Sequence, residues 1–142
     1  MKCIALVLGL AALIPALLAD GIPVGTWVRR ATPDGMVATL IVEAAGAGQK
    51  FTFKVKVASG AFSTMIVTTL GDGKDAMVYV DGKASGETMA IRMIDARHMT
   101  NVLKMQGSTV TQTSEISADG KVIKTVTPGG AAGQAVEYWD KK

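Results

Sequence analysis

The chain reads as an all-β protein, an antiparallel up-and-down meander of about eight to ten strands closed into a barrel. Two observations predict this. After Asp20 no long stretch carries a helical period. Instead, apolar and polar residues alternate, β-branched residues are frequent, and turn residues recur about every ten positions. The connections are also tight. Asp34-Gly35, Asp72-Gly73, Asp81-Gly82 and Asp119-Gly120 are Asp-Gly pairs, which suit turns needing positive φ. Asp95-Ala96-Arg97 reads as another short hairpin, and Pro128-Gly129-Gly130 as a looser loop. Short loops join successive strands into a meander. Closing that meander removes the two exposed edges an open sheet would leave.

The strands follow in order. Gly25-Thr26-Trp27 opens the first, over residues 25–30, and the second covers 36–43. The third is the clearest: Phe51-Thr52-Phe53-Lys54-Val55-Lys56-Val57 is apolar at odd positions and polar at even ones, giving one dry and one wet face. Residues 62–70 and 76–80 supply the next two. Met89-Ala90-Ile91-Arg92-Met93 repeats the alternation with Arg92 toward water. Residues 98–105, 109–117, 121–127 and 135–140 complete the series.

The 142 residues suit one domain. Residues 1–19 have the pattern of a secretory signal peptide. Lys2 is the positive start, Ile4 through Ile14 the apolar stretch, and Ala19 the small residue before a cut at Asp20. The expected organisation is a leader over 1–19 and one barrel domain over 20–142. The mature protein is expected to be secreted or periplasmic, with no stable membrane insertion once the leader is gone. Cys3 is the one cysteine and leaves with the leader, which excludes disulfides, zinc–thiolate sites and a cysteine nucleophile. The core alone must then hold the fold, and about 120 residues suffice. The formal charge of +3 is scattered, so nucleic-acid binding has no support.

Three stretches, taken in order with Gly25-Thr26-Trp27, carry a resemblance. They are Arg92-Met93-Ile94-Asp95-Ala96, Ser117-Ala118-Asp119-Gly120-Lys121 and Glu137-Tyr138-Trp139-Asp140-Lys141. Together they resemble small secreted bacterial lipocalin-like proteins of the calycin type, from Gly25 to Lys141. The resemblance implies a lipocalin or fatty-acid-binding-like barrel. It also implies that Trp27 plugs the barrel floor with an arginine over its ring, Arg97 being preferred to Arg92 because Arg92 alternates outward. In fatty-acid-binding members an Arg and a Tyr of the last strand hold the ligand carboxylate. The matching positions here are Glu137 and Trp139, and an acidic residue cannot form that clamp. The expectation of fatty-acid carriage therefore does not follow.

No catalytic constellation stands out. His98 is the one histidine and has no nucleophile elbow beside it, so it is read as a surface hairpin residue near Asp95. No metal site or cofactor is expected, because the turn aspartates lack the ligand ladder of a calcium loop. A small apolar or amphipathic ligand is the expected partner. Its candidate wall is Phe51, Phe53, Met77, Tyr79, Met89, Ile91 and Met93, with Met99 and Met105 sharing the same middle strands. Methionine adapts to varied apolar guests, and it also fills ordinary cores. Asn101, Gln112 and Ser114 are the inward polar groups expected to orient the guest. Two alternatives remain. One is a protein-interaction module with a solid core, working through the loop at 128–133 and Thr-rich faces. The other is a barrel isomerase or cyclase using Glu115, Glu137 or His98, all three of which are expected to lie outward or peripheral.

Overall fold

The structure, a computed structural model, describes residues 21–129 and 133–142. Ten strands run in chain order: β1 (Gly25–Arg29), β2 (Ala38–Ala45), β3 (Gly48–Lys56), β4 (Phe62–Thr69), β5 (Asp72–Val80), β6 (Lys83–Met93), β7 (His98–Met105), β8 (Ser108–Ile116), β9 (Val122–Thr127) and β10 (Ala135–Lys141). Each pairs antiparallel with its chain neighbour, and β1 pairs with β10 to close the barrel. The expected up-and-down barrel is the observed fold. The leader and Asp20 lie outside the described residues, as do positions 130–132 of the β9–β10 loop.

Local chemistry explains the hairpins. Asp81 (φ 48) and Gly82 (φ 82) both take positive φ between Val80 and its partner Lys83. That is the two-residue turn whose twist matches a right-twisted ribbon. Asp81 also ties the hairpin to β4. Its backbone N–H donates to the Thr64 carbonyl at 2.8 Å, and its Oδ1 accepts from the Thr64 N–H at 2.9 Å. One expected turn is corrected. Asp72-Gly73 lies inside β5, and Gly71 (φ 71) makes the β4–β5 turn. Gly73 instead sits where the β5–β6 register shifts between Asp72 and Asp75, a bulge.

The alternation places a single apolar core inside the barrel. Trp27, Leu40, Val42, Phe51, Val67, Val78, Met89, Ile91, Ile116, Ile123 and Trp139 are all buried there. One seam is sparse: β4 and β5 pair at Met65↔Val80 and Ile66↔Tyr79, close to the Asp81-Gly82 turn. Below those pairs the two strands diverge.

Candidate functional site

Because successive strands alternate in direction, the β2–β3, β4–β5, β6–β7 and β8–β9 turns gather at one end of the barrel. Residues 21–24 close that end. Ile22 is buried, its N–H donates to Gln49 Oε1 at 3.1 Å, and its carbonyl accepts from Gln49 Nε2 at 2.7 Å. Trp27 is fully buried beside this segment, with its indole N–H donating to the Pro23 carbonyl at 3.1 Å. A buried indole N–H needs such an acceptor.

Above this floor lies a cavity of about 410 Å³. Its walls differ. β2 to β6 contribute Ala38, Leu40, Phe51, Phe53, Val55, Met65, Val80, Met89 and Ile91, with Ser63 as the one polar residue. The other wall, formed by β7 to β10 and β1, carries the remaining polar lining: Asn101, Gln112, Ser114, Thr125, Glu137 and Arg29. The interior is therefore amphipathic around its circumference.

The polar wall is linked strand to strand. Asn101 Nδ2 donates to Gln112 Oε1 at 3.0 Å, and Gln112 Nε2 donates to Thr127 Oγ1 at 2.9 Å. Ser114 and Thr125 share a hydroxyl hydrogen bond of 2.9 Å. Arg29 Nη1 meets Glu137 Oε1 at 2.9 Å, and its Nη2 donates to the Met36 carbonyl at 2.7 Å. Two buried atoms have no hydrogen-bond partner among the described residues: Arg29 Nε and Asn101 Oδ1. Leaving a buried polar atom unmatched costs about 1–3 kcal/mol, so such atoms mark places where a guest's polar group would be favoured.

The structure brings most of the expected site together. Phe51, Phe53, Met89, Ile91, Asn101, Gln112 and Ser114 line the cavity. Asn101 bonds to Gln112 on the next strand, one of the two arrangements its inward position allowed. Met99 also lines the cavity. Three candidates do not belong there. Met77 and Tyr79 point outward and are 53% and 42% exposed, because β5 turns Ala76, Val78 and Val80 inward. A shift of one residue in parity moves a whole strand's side chains to the other face. Met93 packs partly buried against the core near the closed end, beside Gly71, Phe51 and Ile91, and does not line the main cavity.

The expected Arg97 partner of Trp27 is also corrected. Arg97 Nε donates to the Ile116 carbonyl at 2.8 Å, and its half-exposed guanidinium reaches Glu115 at 3.2 Å. Among the described residues a cation–π contact forms instead between Arg30 and Tyr138, 5.0 Å from guanidinium carbon to ring centroid. His98 lies at the surface against Asp95, with Nδ1 to Oδ1 at 2.8 Å. Glu115 is half-exposed beside it. Glu137, expected outside, instead lines the cavity. Arg29 was not anticipated. Its two-residue spacing from Trp27 on one strand was the available cue, since positions i and i+2 share a face. Among the described residues no group of three His, Cys, Asp or Glu side chains is placed to hold a metal.

No family model and no curated protein matches the chain. Among solved structures it is similar to the fluorescent protein UnaG, with a TM-score of 0.57 at 15% identity over 84% of this chain and 96% of that one. A single-residue variant of UnaG gives a TM-score of 0.60 at 14% identity over 84% and 95% of the two chains. Another gives 0.53 at 18% identity, over 83% and 94%. At such identities the likeness is one of fold.

Proposed function

We propose that this chain is an exported, non-enzymatic binding protein that holds one small apolar or amphipathic molecule inside its barrel. The observation that carries the reading is the cavity of about 410 Å³, apolar on one wall apart from Ser63 and mixed on the other, where most of the polar lining lies among Met99, Leu103, Ile123 and Trp139. Its volume lies in the range of small-molecule sites, roughly 300–1,000 Å³, and its few polar groups converge from one side. The ligand's apolar surface is buried against Leu40, Phe51, Phe53, Met65, Met89 and Ile91. Its polar edge faces Asn101, Gln112 and Glu137 with Arg29. Similarity of fold to UnaG is compatible with a barrel that holds a guest.

A reaction inside the barrel would need an inward titratable group. Among the described residues Glu137 and Arg29 are the titratable side chains lining the cavity, and each is engaged by the other. That arrangement favours binding over turnover. Export rests on the signal-peptide pattern of residues 1–19.

The test is displacement of a neutral solvatochromic dye, Nile red, combined with native mass spectrometry. The protein should bind the dye with a blue-shifted emission. Leu40→Trp, which narrows the cavity from the apolar wall, should weaken binding while keeping the β-rich circular dichroism spectrum. Dye binding that persists unchanged in that variant would count against the cavity. Export is checked separately by N-terminal sequencing of the mature protein, which should begin near Asp20.

A further inference from the structure

The head-group preference of this cavity is written in two atoms and one ion pair. Arg29 is 11% exposed and is held by Glu137 on one side and the Met36 carbonyl on another. Its Nε is buried and donates to nothing among the described residues. A guest that reaches it must therefore bring an acceptor. The guanidinium charge is already matched by the Glu137 carboxylate. A guest carboxylate would satisfy Nε, yet it would sit beside the Glu137 carboxylate, a like charge.

Asn101 adds the second requirement. Its Oδ1 is buried and accepts nothing among the described residues, while one of the two Nδ2 hydrogens goes to Gln112. The guest must bring a donor there. The Asn101–Gln112–Thr127 relay can also run in reverse if both amides rotate by half a turn, and Asn101 then offers an N–H instead. A polar group that is donor and acceptor together satisfies Asn101 in either orientation, and the same class of group carries the acceptor that Arg29 Nε lacks. A carboxylate lacks the donor, and so does an ester.

We propose that the cavity selects apolar molecules bearing a neutral donor–acceptor group, an amide or a hydroxyl, and discriminates against carboxylates. This rests on the cavity-binding reading above. Arg29 Nε and Asn101 are the recognition groups, and Glu137 is the residue that excludes the acid.

The experiment is competition against Nile red with four straight-chain compounds of equal length at neutral pH: the acid, the primary amide, the alcohol and the methyl ester. The amide and the alcohol should displace the dye at concentrations about tenfold below those of the acid and ester, the factor expected when one or two net hydrogen bonds separate them. Glu137→Gln should raise the acid's affinity until it equals or passes the amide's, with little change for the ester. Asn101→Leu should bring the amide down to the ester, and its readout is independent of the charge variant. An acid that competes as well as the amide in the unmodified protein overturns the proposal. Four equal competitors also overturn it but leave the cavity reading standing. Failure of the protein to bind the dye or any of the four compounds overturns both.

Discussion

Trp27 shows how one side chain can be structural inside a hollow barrel. It is fully buried, is hydrogen-bonded to Pro23, and lies outside the cavity lining. Truncating it should be costly and indifferent to ligand chemistry. Trp27→Ala should lower unfolding stability by about 3–5 kcal/mol, read from urea denaturation followed by circular dichroism. Met77 and Tyr79 give the opposite case. Both stand on the outer face, so changing either to Ser should shift stability by no more than about 0.5 kcal/mol and leave Nile red affinity unchanged. A loss of dye binding in either variant would mean that β5 is turned the other way. Met77 and Tyr79 share a parity on β5, and the sequence alone does not say which parity faces inward. The parity of β5 was settled by its pairing across the Asp81-Gly82 turn and by the bulge at Gly73.

At the scale of elements, the barrel is unevenly stitched. β3 pairs with β4 at eight successive positions, from Gln49↔Thr69 to Lys56↔Phe62, whereas β4 and β5 pair at two. Backbone groups without ladder partners exchange their protons with water readily. Amide exchange should therefore be fastest at those amides of β4 and β5 whose N–H groups point into the β4–β5 seam away from the Met65↔Val80 and Ile66↔Tyr79 pairs, and slowest in the interior of β3. Equal protection at both seams would show that β4 and β5 zip together in solution. The β3–β4 ladder depends on Gly48. A Cβ there would lie 2.1 Å from the Thr69 carbonyl oxygen, a backbone atom that cannot step aside. Gly48→Ala should loosen that ladder, seen as faster exchange at Gln49 and Thr69. Asp34-Gly35, Asp81-Gly82 and Asp119-Gly120 made their hairpins legible in advance, whereas Asp72-Gly73 marks a bulge inside β5. The sparse seam was not legible, because neighbouring strands in the sequence give no sign of how far their ladder extends.

For the whole molecule, acid sensitivity follows from the turn and seam aspartates. Asp95 is held below the ordinary carboxylate range, chiefly by the Arg97 N–H and then by the His98 side chain. Asp119 is lowered first by the Ser117 hydroxyl and then by the Lys121 N–H. Asp140, on the strand that closes the barrel, is lowered by the Arg30 guanidinium, which grips both its oxygens at 2.8 Å. Asp34 is lowered by the Thr32 hydroxyl and the Met36 N–H. A carboxyl whose folded pKa is depressed stabilises the fold above its unfolded value, about 3.9. That contribution is lost as pH falls through the folded value. The urea midpoint should stay level between neutrality and about pH 5 and fall below about pH 4. Asp95→Asn should be less stable at neutral pH and show a shallower acid limb. Parallel curves for the variant and the unmodified protein would assign the acid limb to other groups.

By itself the sequence determined the strand count within narrow limits, the turns, the meander and its closure. Strand alternation and turn chemistry are local properties carried by a few consecutive residues. It also pointed to the inward face of β3, where Phe51 and Phe53 sit on a clean alternation. For Asn101, Gln112 and Ser114 a one-residue register change remained open, and the β7–β8 pairing settled it. Only the tertiary structure decided that the interior is hollow, and that its polar groups lie together on β7 to β10 and β1. Whether facing side chains meet or leave a space depends on barrel width and on how ten strands fill it together. The same holds for Arg29 and Glu137. They are 108 residues apart in the chain, and the closing pair β1–β10 brings them to 2.9 Å inside the barrel.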